Sequence, residues 1–288
     1  GAIYLDPEHL WLTPEEKSVI DTAPDYRQSF GDSLQFVMLA RYVRNNQPVR
    51  PPEADERTLE DIKFRMSSLL YHELAHANDF FSPDRIAAIE PALSIHVAAR
   101  VGDLPSEYLA AQYPLQSTMM KQLARVSFKG WDATETQKAY TADDVGAEFP
   151  TDYANDYYGY SSQQEDLAML LEEVMMLYSW GVDRDVAVTN RPPSGSYCDE
   201  YRVSWGQRNR VVDQSVRNRA IFVLEQVLPS VVDRVTARLD AEAPPTPMTA
   251  GLDWCTNRDL DGEAAARALS GSSSQQKVPA AERWRPYL

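Results

Sequence analysis

His72 and His76 stand four residues apart with Glu73 directly after the first, in the stretch Leu-Leu-Tyr-His-Glu-Leu-Ala-His-Ala-Asn-Asp-Phe that runs from Leu69 to Phe80. On an α-helix, positions i and i+4 lie one turn apart on the same face, so both imidazoles can offer a nitrogen to one cation at about 2.0–2.1 Å. Glu73 is turned about 100° round such a helix. It is too far round to ligate beside its neighbours, yet close enough to reach a water held on the metal and act as its general base. A structural reading competes, because a histidine on an apolar helix face is ordinarily a hydrogen-bonded core residue. The pair at this spacing, with the glutamate between, favours Zn2+ as cofactor.

A hydrolytic zinc site takes three protein ligands and keeps a fourth position for water. The metzincin pattern would place a glycine three residues after His76 and a histidine six residues after it; Asp79 and Ser82 stand there, which excludes that kind. His9 lies in an N-terminal turn region and His96 on a separate helical stretch, so a carboxylate from a second helix is the better third ligand. Glu165 offers one, in the stretch Tyr158-Gly159-Tyr160-Ser161-Ser162-Gln163-Gln164-Glu165-Asp166-Leu167-Ala168. The same glutamate also completes a capping box with Ser162, a role that needs no metal. Glu172, two turns on and nearly on the same face, is the reserve.

These two stretches resemble the gluzincins, zinc metallopeptidases with HExxH on one helix and a glutamate ligand on a later one. They are most similar to those members, the protease domain of anthrax lethal factor among them, in which a tyrosine precedes the ligand glutamate by seven residues. The resemblance covers only His72–Asp79 and Tyr158–Ala168. It implies that His72, His76 and Glu165 bind zinc, that Glu73 polarises the attacking water, and that Tyr158 donates a hydrogen bond to the oxyanion, with Tyr160 as the substitute. It also implies that Asp79 and Asp166 stand behind the ligands, where a carboxylate fixes a histidine's tautomer. The expected reaction is hydrolysis of a peptide or protein substrate. One departure is that Met169 occupies the place, one turn after the ligand, where members often carry another glutamate. Another is the long step of 89 positions from His76 to Glu165, which leaves room for an inserted subdomain.

The elements that must carry these residues follow from periodicity and caps. A long helix is predicted from an N-cap at Thr58, with Asp61 three residues on, to Phe81, where Ser82-Pro83 ends it. A second runs from Ser162 to Trp180. Further helices are expected over 32–44, 86–96, 109–127 and 212–239, the last broken at Pro229. Residues 152–162 read as loop, and the best strand candidates are 185–190 and 201–205. Residues 196–210, rich in aromatics and in arginine or glutamine donors, read as a surface loop that could otherwise line a substrate cleft. The expected fold is mainly α: a zincin-like single catalytic domain over 1–240 with few short strands, and a Pro/Ser-containing extension over 241–288 packed on it.

Composition narrows the partners. With 288 residues and 43% hydrophobic content the chain can bury a full core. A formal charge of −15 argues against nucleic acid and anionic lipid surfaces. No apolar run approaches the roughly 20 residues that span a bilayer. The tyrosine and tryptophan content leans toward an exported protein, periplasmic, secreted or lipid-anchored, and a start at Gly-Ala-Ile-Tyr without methionine fits a removed leader. Cys198 and Cys255 are too few for a cysteine zinc knuckle; they read either as one disulfide or as two free thiols.

Overall fold

The computed structural model describes residues 3, 7–20, 26–52, 54–193 and 197–260. It is mainly helical, with one five-stranded antiparallel sheet. The helices are α1 (Pro14–Ser18), α2 (Leu59–Phe81), α3 (Pro83–Ala88), α4 (Ile95–Ala98), α5 (Pro105–Gln112), α6 (Thr118–Lys129), α7 (Glu135–Ala139), α8 (Ala142–Gly146), α9 (Gln163–Trp180), α10 (Gln214–Val227) and α11 (Val232–Asp240). The strands are β1 (Phe36–Arg44), β2 (Gln47–Pro48), β3 (Asp183–Asn190), β4 (Val203–Arg208) and β5 (Thr246–Pro247), in the order β2-β1-β3-β4-β5.

The two long helices begin and end as their caps dictate. Thr58 and Asp61 form a reciprocal capping box at the start of α2, and α9 ends at Gly181 in the left-handed conformation (φ 58°). The chain from Gln214 to Asp240 breaks around Pro229, as expected of a residue without an N–H. By contrast, Pro114 separates α5 from α6, so the helix expected over 109–127 is two helices, and the one expected over 86–96 is likewise split between α3 and α4.

The largest correction lies at 32–44, where the sequence suggests a helix and the structure has strand β1. Both faces of β1 are covered, so its apolar residues run almost continuously and mimic a helix stripe. The turn after it carries the signal that decides: Asn45 and Asn46 both sit at positive φ (51° and 60°), the conformation of a two-residue hairpin, and Arg44 pairs with Gln47 across it. Residues 197–210, too, are more than a surface loop. They supply β4, and Arg208 and Arg210 point inward and are buried.

Register gives the sheet two distinct faces. Met38, Ala40 and Tyr42 of β1 stand opposite Val188, Val186 and Arg184 of β3, and this face meets the helical body. The alternate residues Leu39 and Ala187 are covered by Tyr201, Met248 and the fully buried Trp254. On that second face Arg41 and Arg208 both bind Asp185, and the Arg41 guanidinium lies 3.9 Å from the Trp254 ring centre. A disulfide between Cys198 and Cys255 ties this covering segment down. Residues as far as 260 therefore complete the second side of the sheet.

Candidate metal centre

The site lies between α2 and α9. Ala75, fully buried, three residues after His72 and directly before His76, packs in one apolar cluster with Leu167, Ala168 and Leu171 of α9. A side chain this small lets the helices approach closely. The His72 and His76 rings then meet edge to face, centres 4.9 Å apart and planes at 82°.

Glu165 enters from the first turn of α9. The hydroxyl of Ser162 accepts the Glu165 backbone N–H at 3.2 Å, so the cap half of the expected box forms. The Glu165 carboxylate does not complete it. It turns to the histidines instead, with Oε2 3.1 Å from His72 Nε2 and 3.3 Å from His76 Nε2. The two Nε2 atoms are 3.2 Å apart. Two donors held about 2.05 Å from a tetrahedral ion stand about 3.3 Å from each other, so all three edges of this triangle suit one metal ion. Among the described residues, His72, His76 and Glu165 form a group of His, Cys, Asp or Glu side chains whose ligand atoms converge in this way.

Behind His72 stands Glu172. Its Oε2 lies 3.2 Å from His72 Nδ1, and its other oxygen accepts the Tyr42 hydroxyl at 2.9 Å and lies 3.6 Å from Arg184 Nη1. A carboxylate on Nδ1 holds the proton there and turns the Nε2 lone pair toward the convergence point. In the metal-free protein burial pulls the His72 pKa down, but the hydrogen bonds and charges of Glu165 and Glu172 outweigh it and raise it to about 9. Burial likewise works against the charged form of Glu165, and the two histidines overcome it, holding the carboxyl below the usual range.

Tyr158 sits in the short 3-10 turn Tyr157–Tyr160, which Asp156 caps by accepting the Tyr158 N–H at 2.9 Å. Its ring stacks on His72 (centres 6.1 Å, planes 24°) and meets Phe128 edge-on at 4.9 Å. Tyr160 turns away into the core against Phe149, 6.3 Å between centres, so Tyr158 is the tyrosine beside the histidines. The residues before this turn are irregular but firmly held. Buried Arg210 donates to the carbonyls of Phe149, Asp152 and Ala154, and Arg219 to that of Tyr153. Glu73 is half-buried, and its carboxylate has no hydrogen-bond or ion-pair partner among the described residues.

The two carboxylates expected behind the ligands are placed differently. Asp79 accepts the Ser106 backbone N–H at 2.8 Å, joining the end of α2 to the start of α5; its other oxygen and His76 Nδ1 are both buried without a hydrogen-bond partner among the described residues. Asp166 is paired with Arg219 and bonds to neither histidine. Glu172, the reserve ligand of the sequence reading, takes the position expected for Asp166. A sign of it was present: Glu172 and Glu173 interrupt an otherwise apolar run from Leu167 to Leu177, where buried acids need a reason. His96 is exposed on α4, away from the site.

Comparison with family models, with curated protein sequences and with solved structures gave no match.

Proposed function

We propose that this protein is a zinc-dependent hydrolase of peptide bonds, a gluzincin-type metallopeptidase on a zincin-like helical body. The observation that carries the reading is the near-equilateral triangle of His72 Nε2, His76 Nε2 and Glu165 Oε2, with edges of 3.1 to 3.3 Å. Two imidazoles and a carboxylate form a donor set of catalytic zinc sites. Zinc bound there would supply a Lewis acid that makes water nucleophilic near neutral pH. Glu73 takes that water's proton as the oxygen attacks the substrate carbonyl carbon. It then delivers the proton to the amide nitrogen as the C–N bond breaks. Tyr158, held against His72, donates to the carbonyl oxygen as it gains negative charge. The disulfide supports an oxidising, extracytoplasmic location, and the charge of −15 disfavours nucleic acid as substrate.

The test is metal content by mass spectrometry on protein purified without a nickel column, followed by a panel of peptide and ester substrates. About one zinc per chain and peptide cleavage are expected. Glu73→Gln should keep the metal and lose about 10²–10⁴-fold in rate. Absence of metal after zinc is added back overturns the reading, and ester cleavage alone moves it to another class of hydrolase.

A further inference from the structure

We infer that Arg184 is a positioning residue that locks the two halves of the site together: one arm of its guanidinium reaches the carboxylate that holds His72, and the other reaches the carboxylate that holds Tyr158. The inference rests on the proposed roles of those two residues. On one side, Arg184 Nη1 is 3.6 Å from Glu172 Oε1, and Glu172 Oε2 is 3.2 Å from His72 Nδ1. On the other, Arg184 Nη2 is 2.5 Å from Asp156 Oδ2, and Asp156 Oδ1 accepts the Tyr158 N–H at 2.9 Å. A chain of four contacts through Glu172, Arg184 and Asp156 thus runs from the ring of the candidate ligand to the backbone of the candidate oxyanion donor. Each of Arg184, Asp156 and Glu172 is at most 3% exposed, so water screens these contacts little.

The sheet makes Arg184 a fixed reference point. Its backbone is bonded twice to Asn209, N–H to Oδ1 at 3.2 Å and carbonyl from the Asn209 N–H at 2.8 Å. Tyr42 stands directly opposite across the β1–β3 register; its ring centre is 5.1 Å from the guanidinium carbon, and its hydroxyl bonds to Glu172. A rigid planar fork can hold two carboxylates at a set angle, which a single ammonium cannot do. If Arg184 merely neutralised buried charge, lysine would serve equally well. A positioning role predicts that it does not.

Arg184→Lys is the test, with folding checked by circular dichroism and Co2+ used as a visible-absorbing probe of the metal site. The variant should bind metal about 10–100-fold more weakly, the usual effect of disturbing a carboxylate behind a ligand histidine. Its cobalt spectrum should change, and kcat at saturating metal should fall with little change in KM. In a Tyr158→Phe background the extra loss in kcat should vanish while the loss of metal affinity persists. A folded Arg184→Lys protein with the wild-type spectrum, affinity and kcat overturns the inference, as do kcat losses for the two substitutions that simply multiply. Should Arg184→Lys not fold, Asp156→Asn cuts only the Tyr158 arm; it should lower kcat at unchanged metal affinity, and an equal fall in both refutes the coupling. Wild-type protein that takes up no cobalt or zinc removes the proposed function and this inference with it. Metal binding and peptide cleavage in wild type beside a silent Arg184→Lys removes this inference alone.

Discussion

Glu165 has two jobs open to it, cap and ligand, and a pair of alanine substitutions separates them. The cap bond is made by the Glu165 backbone N–H to Ser162, so Glu165→Ala leaves it in place and deletes only the carboxylate facing the histidines. Ser162→Ala does the opposite. It should lower stability by about 1 kcal/mol with or without metal. Zinc at 100 times its Kd stabilises the wild type by about 2.7 kcal/mol. At about 2 °C per kcal/mol, appropriate to a chain of this size, the melting temperature rises by about 5 °C. Removing one of three ligands should cost at least the ~100-fold that a lost outer partner can cost. At the same zinc concentration the Glu165→Ala gain is then no more than about 0.4 kcal/mol, or about 1 °C. The assay is thermal unfolding by circular dichroism with and without zinc. A Glu165→Ala protein that keeps the full zinc shift, or a Ser162→Ala protein that loses it, refutes the assignment of the carboxylate to the metal.

Tyr158→Phe should lower kcat by about 10²–10³ with metal affinity unchanged, as expected for loss of one donor to the oxyanion, whereas Tyr160→Phe should leave kcat alone; steady-state kinetics on both variants decides between the two tyrosines. The metal-free protein should lose stability as pH rises from about 6.5 to about 9, because His72 has its folded pKa raised to about 9 by Glu165 and Glu172 against the pull of burial. A raised histidine stabilises fully below its unfolded pKa and ceases to do so above its folded one, here about 3 kcal/mol across the window. Zinc-loaded protein, whose histidines must be deprotonated, should show no such loss, and denaturant titrations at pH 6 and 9 with and without zinc test this. Arg219→Met should be strongly destabilising, by about 3–5 kcal/mol in the same titrations, because it leaves Asp166 charged and buried without its cation.

The parts of this site written in local sequence were legible, and the parts made by distant pairing were not. The spacing of His72 and His76, the Thr58 box and the Ser162 cap depend on residues within a turn of one another, and the helices they imply are present. The strands around 185–190 and 201–205 were visible in their alternation. β1 escaped because burial on both faces erases alternation, and only the Asn45-Asn46 turn betrays it. Whether Glu165 caps or ligates was undecidable locally, since both roles want a glutamate at the same helical position; the answer depends on where α2 lies. The grip of Arg184 on Asp156 and Glu172 follows from a cross-strand register that no nearby residue announces.

The charge arrangement of the interior sets Glu165 apart from three of the buried acids. Asp166 is paired with Arg219, Asp156 with Arg184, and Asp185 with both Arg41 and Arg208. Each of these carboxylates has a permanent cation beside it, which offsets the cost of leaving water. The ion partners of Glu165 are instead two imidazoles, one of which, His72, is also held by the buried Glu172. Folding has thus brought one carboxylate and two imidazoles, their nitrogens converging on it, into a largely enclosed space, with no guanidinium paired to Glu165 among the described residues. Protonating His72 compensates the charge with one N–H shared between the Glu165 oxygen and the His76 nitrogen. A divalent cation compensates it while using all three lone pairs at once, and for that reason we favour a metal over a hydrogen-bonded histidine cluster.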